Sequence, residues 1–205
     1  KDCLRIVNPY KLVNSMVDLM VSRGGQFSQF DVERIQHEGK QVSLTGSAGT
    51  ITADKVVVAA GAWSRSLAEQ LGDSVPLDTE RGYHLMLPES TRNLLNGPVV
   101  NGESSFVLSP METGMRLSSQ IEFGGLVAAP DYSRVRSLLP LAKRMLPTLD
   151  IREQSAWMGF RPSLPDSLPV VGFSTNSKNV LYAFGHQHLG MTMGAVTGKL
   201  VADLI

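Results

Sequence analysis

The chain has 205 residues and a formal net charge of zero, with 42% apolar and 19% charged residues. This balance is ordinary for a globular protein, and the scattered Lys and Arg residues form no basic stripe of the kind that nucleic-acid binding requires. The single cysteine, Cys3, excludes an internal disulfide framework, and no apolar run approaches the length of a membrane span.

The first predicted element is an amphipathic helix after Asn8 and Pro9, which suit a helix cap and the first helical position. Apolar residues then recur at helical spacing until Arg23-Gly24-Gly25 supplies a stop. The chain enters this pattern almost at once and begins with Lys1 instead of Met. We therefore expect a piece of a longer protein.

Short β-rich segments follow between residues 27 and 52, with turn residues between them. The next run, Lys55–Gly61, is unbroken apolar after its lysine, which is typical of a parallel strand buried on both faces. A helix is predicted after it, closed by Gly72. The order helix, strands, buried strand, helix indicates an α/β fold.

Between Pro76 and Pro165 the strand candidates follow one another closely, which favours an antiparallel sheet. One helix, from about Tyr132 to Leu146, interrupts them. We interpret this region as a second domain inserted between two pieces of the first. The predicted division is residues 1–75, then 76–165, then 166–205.

The last predicted elements are a buried strand, Val180–Phe184, a glycine-bounded loop, and a helix that begins near Gly190. The first amides of a helix lack acceptors, so this terminus suits an anion. Gly190, Gly194 and Gly198 recur every fourth residue along the helix. Such a stripe favours close approach of another backbone or a flat cofactor, or simply tight helix packing.

Arg161 stands in a segment almost free of charge, so it needs an anionic partner. That partner is either a ligand carboxylate or a structural acid such as Asp166. His186 and His188 lack a third ligand in sequence, so no metal site is predicted. The chain also contains no Walker loop and no complete GxGxxG.

Three stretches, residues 52–64, 159–172 and 185–192, together resemble the D-amino-acid dehydrogenase branch of the flavin-dependent amine oxidoreductases, a group that includes glycine oxidase and sarcosine oxidase. Arg81-Gly-Tyr-His84 is similar to the first strand of that family's substrate domain. The resemblance implies an α/β chain (α+β overall) that forms part of a Rossmann-like FAD-binding domain with an inserted antiparallel-sheet substrate domain. The family's GxGxxG segment would lie upstream of Lys1.

The resemblance implies FAD as the cofactor and Arg161 as the clamp for the substrate carboxylate. Tyr83 and His84 are expected in the substrate pocket, with a core or solvent position as the alternative. The residues that would contact FAD are Val32, Ala60, Gly61, Trp63, Gly185, His186, His188, Leu189, Gly190, Met191 and Thr192. His188 replaces an arginine of some oxidases, and Phe106 and Val107 lie where glycine oxidase has a pocket tyrosine.

The implied reaction is oxidation of a D-amino acid, or a related amine-bearing carboxylate, by hydride transfer to FAD, which gives an imino acid and then a keto acid and ammonia. No residue is assigned as a general base.

The electron acceptor would be a respiratory quinone or oxygen. The expected location is cytoplasmic, and peripheral contact with the inner face of the cytoplasmic membrane is left open. Oligomeric state also stays open. The alternative is a catalytically silent fragment or a module that binds carboxylates or proteins without flavin.

Overall fold

A computed structural model describes residues 5–205, except for the side chain of Gln120. The chain divides into two compact units. The first comprises residues 5–28, 82–122 and 129–159, and the second comprises residues 29–81, 123–128 and 160–205. These units are defined by packing, and the division at residues 75/76 and 165/166 stays a prediction about domains.

The described helices and strands alternate irregularly along the chain. The helices are α1 (Pro9–Ser22), α2 (Ser64–Gln70), α3 (Ser133–Arg136), α4 (Leu139–Met145) and α5 (Gly190–Leu204). The strands are β1 (Arg34–Glu38), β2 (Gln41–Gly46), β3 (Gly49–Ala53), β4 (Val56–Val58), β5 (Asp78–Met86), β6 (Val99–Asn101), β7 (Phe106–Met111), β8 (Gly114–Phe123), β9 (Ser155–Ser163), β10 (Val170–Phe173) and β11 (Val180–Phe184).

The described strands form three sheets, in the orders β1-β2-β3, β10-β11-β4 and β6-β7-β8-β5-β9. In the second sheet β11 pairs with β4 in parallel, with Val180 opposite Val56 and Tyr182 opposite Val58. In the third sheet β7 is antiparallel to both β6 and β8. The parallel pair joins segments that lie about 120 residues apart in sequence, as the predicted α/β class requires. The predicted mixed α/β fold with antiparallel sheets is confirmed.

The core of the first unit lies between one face of its sheet and helices α3 and α4. Alternate residues of the strands point into it, including Leu85, Phe106 and Leu117, which are all fully buried. Helix α1 has the predicted start, since the Asn8 side chain accepts a hydrogen bond from the Lys11 amide at 3.0 Å. None of its residues is buried within residues 5–205.

The second unit is built around the β10-β11-β4 sheet, with Val58, Val180 and Phe184 in its core. Its stability depends on a buried carboxylate, Asp73, just after α2. Asp73 accepts hydrogen bonds from the hydroxyls of Ser174 (2.5 Å), Tyr182 (2.6 Å) and Thr175. These contacts fix the end of α2 to the turn between β10 and β11, which positions the strand that leads to the C-terminal loop.

Two local expectations differ from the structure. The helix expected from Tyr132 to Leu146 is two short helices, because Pro140 has no amide hydrogen and is accommodated only in the first turn of α4. The apolar run at residues 55–61 forms the short strand β4, and Val57 is 36% exposed. β4 is therefore not covered on both faces by the described part of the chain, where it lies at one end of its sheet.

Candidate functional site

The second unit contains a cavity of about 480 Å³ alongside β4 and the two residues that follow it. Val32, Ala60 and Trp63 line it, together with the apolar side chains of Val56 and Val58. Three of the residues predicted to contact FAD are thus brought to one place, although they lie up to 31 positions apart in the sequence. Its walls are largely apolar, as is usual for sites that bind planar organic groups.

Gly61 lies at the start of a single 3-10 turn, Gly61–Trp63, that leads from this cavity into α2. Its φ of +56° is in the left-handed region, which a residue with a Cβ rarely adopts. The turn leaves Trp63 55% exposed, with its ring edge against Phe160 at a centroid distance of 5.5 Å. A glycine is therefore needed here for the backbone to turn away from β4 and present the indole.

The loop from Gly185 to Leu189 joins β11 to α5 and is held against residues 162–167 of the same unit. Gln187, at φ +50°, donates its amide to the carbonyl of Pro162 at 3.0 Å. Gly185, at φ +88°, packs so closely that an added Cβ would lie 2.2 Å from Leu164 Cδ1. The loop is consequently fixed before any ligand arrives.

The two histidines of this loop have different surroundings. His186 shares a hydrogen bond of 2.9 Å between its Nε2 and Thr197 Oγ1, and burial lowers its pKa. His188 and Leu189 are exposed. Throughout residues 5–205, no group of three or more His, Cys, Asp or Glu side chains could hold a metal ion.

Helix α5 begins at Gly190, and no side chain caps its start. The amides of Gly190, Met191 and Thr192 have no acceptor within the helix, because the first amides of any helix precede the residues that could accept from them. All three residues are exposed. An added Cβ at Gly194 or Gly198 would meet nothing within 4 Å in the described structure, so the glycine stripe is not used for packing there.

Arg161 lies in β9 and is partly buried. The structural alternative, an ion pair with Asp166, is not formed: the Asp166 carboxylate accepts the Leu168 amide at 3.0 Å in a local turn. Within the described part of the chain, the Arg161 guanidinium makes no ion pair. It is left available for an external anion.

Tyr83 and His84 are neighbours on β5 and therefore point to opposite faces of the sheet. Tyr83 is 2% exposed and packs in the core of the first unit, where its hydroxyl donates to Glu122 at 2.5 Å. His84 stacks on Trp157 at a centroid distance of 5.1 Å and lines a small cavity with Arg116. The structure thus supports a pocket position for His84 and a core position for Tyr83.

The imidazole of His84 is neutral near pH 7. Burial first, and the positive charge of Arg116 second, lower the pKa of His84 from 6.5 to about 4. Arg116 was not predicted as a site residue from the sequence. It lies between Met115 and Leu117 on a strand whose residues alternate between faces, so it lies on the sheet face that points away from the core.

Gly159→Ala is expected to raise the pKa of His84. An added Cβ at Gly159 would lie 2.0 Å from the Trp157 ring, so the indole must move away from the imidazole it covers. Because burial is the main cause of the low pKa, the value should rise from about 4 toward 6.5. An NMR pH titration of the His84 ring measures this, and an unchanged midpoint would contradict the role assigned to Trp157.

The fold and the cavity define a class of protein: an α/β chain whose parallel strand and open helix terminus suit a nucleotide cofactor. Within residues 5–205, no helix combines the length and apolar character that a bilayer span requires.

Comparison with known proteins identifies the family. The model of the family described as "DAO: FAD dependent oxidoreductase" matches residues 2–204. The chain belongs to this family of FAD-dependent oxidoreductases, as the motif resemblance predicted.

Similar proteins include a D-amino-acid oxidase of Bradyrhizobium diazoefficiens, 34% identical over 98% of this chain and 49% of that protein. A D-amino acid dehydrogenase of Paramagnetospirillum magneticum is 32% identical over 96% of this chain and 47% of its own length. The chain therefore spans about half the length of these curated relatives.

Solved structures share the fold. Glycine oxidase from Geobacillus kaustophilus superposes with a TM-score of 0.81 at 26% identity, over 94% of this chain and 52% of that one. L-proline dehydrogenase from P. horikoshii superposes with a TM-score of 0.83 at 19% identity, over 96% and 55% respectively, and supports the fold alone.

Proposed function

We propose that the protein that carries this chain oxidises a D-amino acid, or a related amine-bearing carboxylate, with FAD as the hydride acceptor. The products would be an imino acid and, after hydrolysis, a keto acid and ammonia. The observation that carries the proposal is Arg161, a partly buried guanidinium that has no ion pair within the described structure and lies in the same unit as the candidate cofactor residues. The similar D-amino-acid oxidase and D-amino acid dehydrogenase belong to this reaction class.

The residues of the second unit fit a flavin nucleotide. The cavity of about 480 Å³ has largely apolar walls suited to an adenosine group, and Val32 and Ala60 are among the residues that line it. Gly61 and Trp63 continue from it toward α2. FAD, when bound, would supply the hydride-accepting chemistry, and the chain would supply binding and orientation.

The start of α5 would hold the negatively polarised edge of the cofactor. Gly190, Met191 and Thr192 offer amides without intrahelical acceptors, and the helix dipole favours negative charge at this end. Gly185, His186, His188 and Leu189 would form the loop that carries these amides. The hydrogen bond between the side chains of His186 and Thr197 holds this loop against α5.

Arg161 would bind the substrate α-carboxylate with two parallel hydrogen bonds, which orients the Cα hydrogen. His84, neutral and covered by Trp157, adds no charge to its cavity near pH 7. A substrate with a neutral amine needs no proton acceptor before hydride transfer, which agrees with the absence of an assigned base. We do not assign Tyr83 a substrate contact, because its hydroxyl is engaged in the core.

Product analysis tests this proposal. The FAD-loaded protein is supplied with D-alanine, L-alanine or glycine, and keto acid and ammonia are measured with oxygen or with a quinone as the acceptor. We expect equimolar keto acid and ammonia from D-alanine. Absence of keto acid and ammonia from all three amino acids with both acceptors, or their formation from L-alanine alone, would reject the proposed function.

A further inference from the structure

Arg116 resembles Arg161 in being a partly buried arginine that forms no ion pair within residues 5–205, and it lies in the first unit. Its neighbours on β8, Met115 and Leu117, are fully buried in the core, so alternation places Arg116 on the other face of the sheet. The side chain is partly buried there, and burial lowers the pKa of its guanidinium, which nevertheless stays charged.

The Nε–H of Arg116 is buried and has no hydrogen-bond partner among the described residues. A buried donor that loses water without gaining a partner is costly, and a charged donor more so. Arg116 also forms no ion pair within residues 5–205. The guanidinium therefore occupies a position that an external acceptor would stabilise.

The side chain lines a cavity of about 170 Å³ with His84, Met86, Met111 and Glu112. The one carboxylate in this lining is already occupied: Glu112 accepts from Lys11 Nζ at 2.5 Å and Asn8 Nδ2 at 2.6 Å. Hydrogen bonds from Lys11 and then Asn8 are the main causes that lower the pKa of Glu112. The remaining charge that faces the cavity is the positive charge of Arg116.

The other walls favour a small organic anion. His84 is held neutral, so it can donate or accept one hydrogen bond without a second charge, and Met86 and Met111 supply apolar surface. The volume is small for a nucleotide or a pyrophosphate with its sugar. A carboxylate attached to a short carbon chain fits both the charge and the size.

We propose that the cavity formed by His84, Met86, Met111, Glu112 and Arg116 binds a carboxylate group, with the guanidinium of Arg116 as the cationic donor to its oxygens. The proposal concerns the first unit alone, and binding of a carboxylate there does not depend on the proposed function, although the substrate as its source does. The carboxylate would come from the side chain of an acidic amino-acid substrate or from a separate small organic acid.

The test uses sodium acetate as the probe and NMR of the arginine Nε–H groups near pH 6.5. The Arg116 signal is assigned by its loss in Arg116→Met. We expect acetate to move this signal downfield in a saturable way, with half-saturation on the order of 10 mM. Acetamide, a neutral molecule of the same shape, at equal ionic strength should leave the signal unchanged.

Arg144→Met is the matched control, because Arg144 is exposed on α4. It should leave the acetate response of the Arg116 signal intact, whereas Arg116→Met should abolish the acetate response of the His84 ring, which lines the same cavity. An Arg116 signal that ignores acetate, or responds equally to acetamide, would overturn the proposal. If Arg116→Met fails to fold, Arg116→Lys, which also removes the Nε–H, assigns the signal in its place.

Kinetics distinguish the two sources of the carboxylate. In the FAD-loaded protein, D-glutamate is compared with its neutral isostere D-glutamine. If the substrate side chain occupies the cavity, Arg116→Met lowers kcat/KM at least about tenfold for D-glutamate and little for D-glutamine. Equal ratios in wild type and variant assign the carboxylate to a separate organic acid.

Discussion

Arg161→Met is expected to lower kcat/KM for amino-acid substrates by roughly 100-fold or more, because it removes a two-point contact to the substrate carboxylate. Methionine keeps much of the length and apolar contact of the side chain while removing every donor. Since Arg161 makes no ion pair within residues 5–205, no carboxylate of these residues loses an ion-pair partner in the variant. The measurement is steady-state kinetics of the FAD-loaded protein.

Two controls separate binding of the substrate from folding. Arg161→Lys keeps the positive charge but loses the planar guanidinium that donates two parallel hydrogen bonds. Its kcat/KM should therefore fall between the wild-type and Arg161→Met values. Arg144→Met, an exposed substitution on α4, should leave the kinetics unchanged. Wild-type kinetics in Arg161→Met would disprove the carboxylate role of this residue.

Asp73→Ala is expected to lower the free energy of unfolding by roughly 3–5 kcal/mol, because buried hydroxyls lose their shared acceptor. Ser174 and Tyr182 both donate to this carboxylate, and Asp73 itself is 7% exposed. Urea unfolding measures the change. Asp203→Ala is the control: its carboxylate pairs with Lys199 on the exposed surface of α5, and the loss should stay below about 1 kcal/mol.

The same carboxylate gives stability a defined pH dependence. Burial alone would raise the pKa of Asp73, but hydrogen bonds from Ser174, Thr175 and Tyr182 together lower it below its ordinary 3.8. A group with a lowered folded-state pKa contributes stability above the ordinary value, and that contribution is lost as the pH falls through the lowered value. The difference in stability between wild type and Asp73→Ala should therefore shrink below pH 3.8. A difference that stays constant there would contradict this account.

Local sequence signals predicted the elements that depend on neighbouring residues. Asn8 and Pro9 start α1, and Gly190 starts α5, because caps and helix starts are encoded within a few positions. The two apolar runs predicted strands, and both are strands, β4 and β11. Local pattern was sufficient for these elements, whereas the pairing of β4 with β11 was seen only in the structure.

Features that depend on distant contacts could not be predicted in this way. The partners of Asp73 lie 101 to 109 positions away in the sequence, and nothing near Gly72 indicates them. The sequence analysis expected Tyr83 and His84 in a pocket, with a core or solvent position as the alternative. Neighbours on a strand face opposite sides, so the register of β5 decides which of the two is buried in the core. Arg116 became a candidate only when the environment of its Nε–H was visible.

Oxidation of a D-amino acid by bound FAD is best tested by the visible absorption spectrum of the FAD-loaded protein under anaerobic conditions, before and after addition of D-alanine. We expect a flavin spectrum that bleaches with D-alanine in the wild type and bleaches far more slowly in Arg161→Met. A protein that binds no FAD, or a flavin spectrum that no amino acid bleaches, would contradict the proposed function.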